Sequence, residues 1–289
     1  MNSNLRRWAP LFLGPTLVAF CIGFVYPFLQ GVYLSFCRFI TTGDATWVGF
    51  NNYIEALSDP SFVHSFWFTA LFTAVSVIAV NALAFAVALA LTGQVRGRNI
   101  FRTVFFSPNL IGGIVLGYIW QLIFNGILAN FGTALVLEAK YGFWGLVILM
   151  CWQQVGYMMI IYIAGLQSVP KSLYEAARID GASRWQLLRN VTVPMVMPSI
   201  TVCTFLTLTG SFKLFDQNLA LTGGAPGVVG EGGSMVYRTE MLALNIYNTF
   251  YGPGSARGVG QAKAVLFFIL VAFIAFWQLR YTRKREVQL

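Results

Sequence analysis

The chain has 289 residues, of which 57% are hydrophobic and only 10% charged, against roughly 25% charged in an ordinary soluble domain. So few ionic groups cannot cover a water-facing surface, which excludes a soluble globular fold and indicates a polytopic membrane protein. The net charge of +9 does not point to nucleic acid, because the basic residues sit at the ends of apolar runs.

A spanning helix needs about 20 predominantly apolar residues, and six stretches supply them: approximately 10–35, 66–92, 104–126, 142–168, 195–218 and 262–279. The first follows Arg6 and Arg7, as a secretory signal would, but a signal has an apolar region of roughly 7–15 residues, so this run is expected to stay as the first span. Between Arg7 and Arg38, His64 and Arg96, Arg102 and Glu138, and Lys140 and Lys171 there is no charge at all. The fifth stretch carries two charges, Lys213 and Asp216. The expected fold is all-α: one transmembrane domain over 1–289 with six transmembrane helices.

Orientation follows from the Lys and Arg count, since cytoplasmic loops carry the excess. Arg6, Arg7, Arg96, Arg98, Arg102, Lys171, Arg178, Arg184, Arg189, Arg280, Arg283, Lys284 and Arg285 fall on one side; Arg38, Lys140, Arg238, Arg257 and Lys263 fall on the other. Both termini and the loop 169–194 are therefore expected in the cytoplasm, and the loop 219–261 outside it. The outer loop starts with Leu221 to Pro226 and continues through Gly227, Gly230, Gly232 and Gly233. It reads either as flexible linker or as a folded lid or docking surface. Its middle, Met235 to Phe250, is apolar enough to pack on something.

The loop 169–194 is the longest densely charged segment. Ser172 with Glu175, and Ser183 with Gln186, have capping-box spacing, in which the hydroxyl accepts from a first-turn amide and the third residue reaches back. Gly181 can take the left-handed conformation that ends a helix, and Pro194 and Pro198 mark entry to the fifth span. The expectation is helix, tight turn, helix, presenting the small pair Ala176 and Ala177 to an approaching surface. A DNA-binding helix-turn-helix fits poorly, since both ends enter the membrane within a few residues; a hairpin that merely covers the base of the bundle is the structural alternative.

The residues Glu175-Ala176-Ala177, Gly181, and Val191, Val193 and Pro194 at their spacing resemble the EAA loop of the permease subunits of ABC importers. Residues 166–194 and the element Phe215-Asp216 with Leu221–Pro226 resemble the maltose-type oligosaccharide permeases in particular. The resemblance spans the whole chain. It implies a type I importer permease fold in a prokaryotic plasma (inner) membrane, with an EAA coupling loop at 169–194 that inserts into a cleft on the nucleotide-binding subunit. Glu175, Ala176, Ala177, Arg178, Asp180 and Gly181 are then the coupling positions. It further implies a second homologous permease subunit, two ATPase subunits carrying ATP and Mg, an extracytoplasmic solute-binding protein, and a carbohydrate substrate.

No phosphate-binding G-x-x-x-x-G-K-[ST], nucleophile elbow or zinc motif occurs, so neither catalysis nor a cofactor or metal site is expected in this chain. Cys21, Cys37, Cys151 and Cys203 stand singly and read as small packing residues. His64, at a membrane boundary, reads as solvated. Charges near a membrane core cost on the order of 2.5–3.5 kcal/mol, so Lys213 and Asp216 either pair across one helical turn or face a wet cavity with Ser211, Asn218 and other hydroxyls. The resemblance favours the second reading and makes Ser211, Lys213, Phe215, Asp216 and Asn218 the candidate substrate pathway. Gln121, Asn125, Gln153 and Gln154 serve either interhelical bonds or that pathway, and Gly113 and Gly117 read as helix packing. Alternatives to a carbohydrate permease are a permease for another solute such as glycerol phosphate, or an ion-coupled secondary transporter using Lys213 and Asp216.

Overall fold

The computed structural model describes residues 3–93, 96–230, 235–252, 254 and 256–283. Gly232, Gly233, Lys284 and Arg285 lie outside the described residues, as do the side chains of Arg6, Arg7 and Arg283. The chain is almost wholly helical and divides into two compact units.

The first unit comprises Met1–Asp59 and Ile246–Phe268. Helix α1 (Ser3–Phe20) runs through a π turn (Cys21–Val25) into α2 (Tyr26–Leu34). A two-residue hairpin follows, β1 (Cys37–Arg38) antiparallel to β2 (Thr46–Trp47), and then α3 (Asn51–Ser58). The buried Asn52 holds this corner together by donating to the carbonyls of Ser35 and Cys37, each at 2.9 Å. Leu34, Cys37 and Phe39 form a small core against Phe250. Lys263, which the charge count places among loop cations, is only 1% exposed. Its ammonium pairs with Asp59 at 2.6 Å and donates to Thr249 at 2.8 Å. A cation this deep is tolerable only with partners.

The second unit comprises Pro60–Asn245 and Ile269–Leu289. Its centre is α4 (Pro60–Thr92), α7 (Ala139–Ser168) and α11 (Met197–Phe212). Phe72, Val80, Leu146, Met158, Met159, Tyr162 and Cys203 are buried where these helices meet. Small residues Ala84 and Ala88 let α7 come close, and outward-facing residues such as Leu71 and Ile78 stay exposed, as lipid-facing positions do. Around the centre lie α5 (Arg98–Phe106), α6 (Gly113–Ala129), α8 (Lys171–Ile179), α9 (Arg184–Leu187), α10 (Val193–Met195) and α12 (Asp216–Leu221). The loop 219–261 is folded: β3 (Gly227–Val229) pairs antiparallel with β4 (Met235–Tyr237), and α13 (Leu242–Tyr251) follows. Met241, Leu242 and Leu244 are buried, as the apolar middle of that loop requires. Helix α14 (Arg257–Arg283), whose residues are divided between the two units, is the last described helix and starts five residues before the expected sixth span.

Two expected spans are not single helices. Four helices, Phe12–Leu34, Pro60–Thr92, Ala139–Ser168 and Arg257–Tyr281, are long and apolar enough to cross a membrane unaided. The expected span 104–126 is instead a pair, 98–110 and 113–129, bent by 101°. Pro108 supports a short 3₁₀ turn, and Ile111 and Gly112 are extended, so the hydrogen-bond ladder stops. The expected span 195–218 is likewise a pair, 184–195 and 197–212, bent by 70° at Val196. Pro198 cannot donate back across that bend, and the helix closes at Phe212, six residues early. An apolar window averages over such breaks, which is why sequence alone draws each as one rod.

Gly117 lies against Ala220 and the Leu221 backbone of α12, where an added Cβ would fall 2.5 Å from the Ala220 Cβ. The packing role expected of the Gly113–Gly117 step is what lets α12 lie on α6.

Candidate functional site

The loop 169–194 folds as two short helices around a glycine turn. The residue preceding a proline is pushed out of the α region, so α7 stops at Ser168, Val169 and Pro170 are extended, and α8 restarts with Lys171 at its first position. This corrects the expected box at Ser172 and Glu175: Pro170 is the cap, without a side-chain hydrogen bond, and Ser172 lies inside the first turn. The box at Ser183 is formed. Ser183 Oγ accepts from the Gln186 amide at 3.3 Å, and the Gln186 carboxamide oxygen accepts from the Ser183 amide at 2.8 Å.

Between the helices Gly181 has φ +76°, a conformation that costs other residues roughly 1–2 kcal/mol. The Ala182 amide donates to the Ala177 carbonyl at 2.9 Å, closing the end of α8. Thr192 Oγ1 lies 3.3 Å from the Tyr174 hydroxyl and so ties the second arm to the first. Glu175, Ala176, Arg178, Asp180 and Gly181 are exposed and Ala177 is half-buried. Glu175, Arg178 and Asp180 make no ion pair within the described residues. The sequence reading missed the apolar flanks of this turn: Ile179 is 86% exposed and Trp185 66%. Two large exposed apolar groups therefore flank charges that make no ion pair among the described residues. The signal was present, as isolated apolar residues on either side of Gly181 in an otherwise polar stretch.

The second region follows α11 directly. Lys213 caps that helix and α12 opens at Asp216, so the two charges do not share a helix. They form no ion pair, and both are exposed. Phe215 is half-buried. Ser211 is fully buried with its hydroxyl unpartnered among the described residues. Asn218, also fully buried, is the knot of the turn that follows α12. Its amide donates to the Thr239 carbonyl at 2.7 Å and to Thr222 Oγ1 at 3.1 Å, while its oxygen accepts from the Met241 amide at 3.0 Å. The Gly223 and Gly224 turn is pinned by the Thr239 amide donating to Gly224 and the Thr239 hydroxyl donating to Ala225. Glu240 beside it is 2% exposed and accepts from Asn245, Ser61 and Ser65.

Polar residues in the spans are largely committed to packing. Gln121 donates to the Leu221 carbonyl, Asn125 accepts from the Leu135 amide, and Gln153 bridges the Ile111 carbonyl and Gln217. His64 is not simply solvated, since its Nε2 lies 3.1 Å from the Arg238 carbonyl and its ring stacks on Phe68. Cys37 and Cys203 are buried, Cys151 is half-buried and Cys21 exposed, and none is paired. Among the described residues no group of three His, Cys, Asp or Glu side chains could hold a metal.

Residues 82–287 match the family of binding-protein-dependent transport system inner membrane components, and the chain belongs to it. It is 41% identical to the probable starch degradation products transport system permease protein of Thermoanaerobacterium thermosulfurigenes, over 98% of this chain and 96% of that one. It is 30% identical to the multiple sugar-binding transport system permease protein of Streptococcus mutans, over 98% and 97%. Its fold matches a chain of a bacterial ABC transporter involved in import of the acidic polysaccharide alginate, with a TM-score of 0.79 and 20% identity over 97% of each chain. The chain is a multi-pass permease component of an ABC importer in the plasma membrane and is not itself catalytic.

Proposed function

We propose that this permease passes a carbohydrate, most simply an oligosaccharide, from an extracytoplasmic binding protein to the cytoplasm. The observation that carries the substrate class is the near full-length identity of 41% to a permease for starch degradation products. The assembly is read as this chain, a second homologous permease, two ATPase subunits that hold ATP and Mg, and the binding protein. Both termini and the 169–194 loop face the cytoplasm in this reading, on the strength of the positive-inside count.

The mechanism follows from chain continuity. Gly181 and its flanks, with Glu175, Ala176, Ala177, Arg178 and Asp180, dock on an ATPase subunit, anchored by Ile179 and Trp185. Closure of the ATPase pair displaces the loop as a body, because the Ser183 cap and the Thr192–Tyr174 contact leave it little internal freedom. The second arm leads directly into α11, whose 16 residues reach about 24 Å at 1.5 Å per residue. Its far end carries Ser211, Lys213, Phe215 and Asp216, which offer the substrate an exposed cation, an exposed carboxylate and an aromatic face. Asn218 acts there as a positioning residue, since its amide is committed to the backbone.

Reconstitution of the full assembly in liposomes tests this. Uptake of a labelled maltooligosaccharide should require ATP, the binding protein and the ATPase subunits. Uptake driven by an ion gradient without ATP, or uptake of glycerol phosphate in place of sugar, would overturn it.

A further inference from the structure

The 169–194 loop does not pack flush against the helices it joins. The last turns of α4 and α7 and the two arms of the loop line an open pocket of about 350 Å³, within the range of small-molecule sites, roughly 300–1,000 Å³. Leu89, Leu166, Leu187 and Leu188 form its apolar wall, and Tyr174 and Arg184 contribute its polar side. The Thr92 hydroxyl in the same wall donates to the Ala88 carbonyl, so it is already spent. Arg184 is exposed and makes no ion pair or side-chain hydrogen bond within the described residues.

Four leucines and one uncommitted guanidinium select a ligand with both characters. A small aqueous anion gains nothing from the leucine wall, and a neutral apolar molecule leaves the cation without a partner. The site also lies where the long apolar helices α4 and α7 end, at Thr92 and Ser168. The apolar runs 66–92 and 142–168 end there too, and at the end of an apolar run anionic headgroups are concentrated and arginine stems lie along apolar surface with their heads toward phosphate. We propose that this cavity takes an acyl chain of an anionic phospholipid, with the lipid phosphate on Arg184. A lipid wedged between the loop and the spans resists displacement of the loop, so its occupancy sets how readily ATPase closure reaches α11. That last clause rests on the docking role assigned to the loop; lipid binding does not.

The assembled transporter, purified and returned to phosphatidylcholine nanodiscs with a graded fraction of phosphatidylglycerol, gives the test. Native mass spectrometry should find phosphatidylglycerol retained on the permease and phosphatidylcholine washed away. Arg184→Gln should weaken retention about tenfold, the size of one charge-assisted hydrogen bond, and Arg184→Lys should restore most of it. Leu187→Phe, which fills the cavity while keeping the charge, should also abolish retention. Equal retention in wild type and Arg184→Gln, or equal retention of phosphatidylcholine, overturns the site. So does release of the ATPase subunits by Arg184→Gln with unchanged lipid, because the cation then serves a partner carboxylate. If lipid is lost from both variants yet their ATPase rates follow the phosphatidylglycerol fraction as wild type does, the binding site stands and the tuning of coupling is overturned.

Discussion

The two ends of α11 are built in opposite ways. At its start the 169–194 loop is mostly exposed, is held by the Ser183–Gln186 cap and by the Thr192–Tyr174 contact between its own arms, and among the described residues leaves Glu175, Arg178 and Asp180 without ion pairs. At its end the turn after Asp216 is buried and held by Asn218 reaching 21 and 23 residues along the chain, to Thr239 and Met241. On the proposed roles, a surface that engages and releases a partner gains from rigidity built within the loop, whereas a buried turn needs long-range partners, because an unpaired polar group there cannot borrow water. The difference predicts that damage at one end changes coupling and damage at the other changes folding.

The largest effect is expected at Asn218. Replacing it with alanine leaves the Met241 amide without its acceptor and the Thr239 carbonyl without its donor, at about 1–3 kcal/mol for each buried group left unsatisfied. Asn218→Ala should lower the thermal unfolding midpoint of the purified permease by several degrees, and sugar uptake should fall in proportion to the folded fraction. A variant with wild-type stability and lost uptake would instead put Asn218 in contact with substrate. Gly181→Val should show the opposite signature. Its strain of roughly 1–2 kcal/mol falls on an exposed turn, where it distorts the tip more than it unfolds the chain. Uptake per ATP hydrolysed should drop about tenfold or more, the factor that 1.4 kcal/mol represents, while the permease still inserts. An unchanged transport ratio would remove Gly181 from the coupling surface.

The same contrast explains what the sequence made legible. The loop could be read because each of its devices is encoded by one residue or by a pair three apart: Gly181 for the turn, Ser183 with Gln186 for the cap, Pro194 for the exit. The family resemblance rests on that stretch for the same reason. The turn at Asn218 could not be read, since nothing in a linear pattern links it to Thr239 or Met241. The charges of Glu240 and Lys263 look like ordinary loop charges, yet both are buried among partners distant in sequence. Pro108 and Gly112 were visible in 104–126, but a hydropathy window weighs composition rather than the continuity of the ladder. The exposed Ile179 and Trp185 went unremarked because apolar residues near a membrane invite a lipid-facing reading.

Two serines sharpen the account of the loop. Ser183→Ala removes the formed capping box and should cost about 1 kcal/mol of local stability, read as faster hydrogen exchange across 183–188. Ser172→Ala, which matches the same motif in sequence, should change exchange little, because Pro170 rather than Ser172 is the cap. Equal effects would mean that α8 starts at Ser172 after all.

The smallest effect tests whether locally encoded structure elsewhere behaves as the loop does. In the outer hairpin the exposed Asp44 carboxylate accepts from the Thr41 amide at 2.7 Å and the Ile40 amide at 3.1 Å. The Thr41 bond is the main reason its pKa lies below the ordinary aspartate value. A carboxyl whose folded pKa is lowered favours the folded turn above its unfolded pKa, and that contribution is lost as pH falls through the lowered value. Exchange of the 39–45 segment, corrected for its intrinsic pH dependence, should therefore hold steady near neutrality and rise only in the acid range below an ordinary aspartate pKa. Asp44→Asn, which keeps an acceptor oxygen but cannot titrate, should flatten that rise. If wild type and variant respond alike, the turn is held by the β1–β2 pairing, and its order comes from contacts eight and ten residues apart rather than from the adjacent carboxylate.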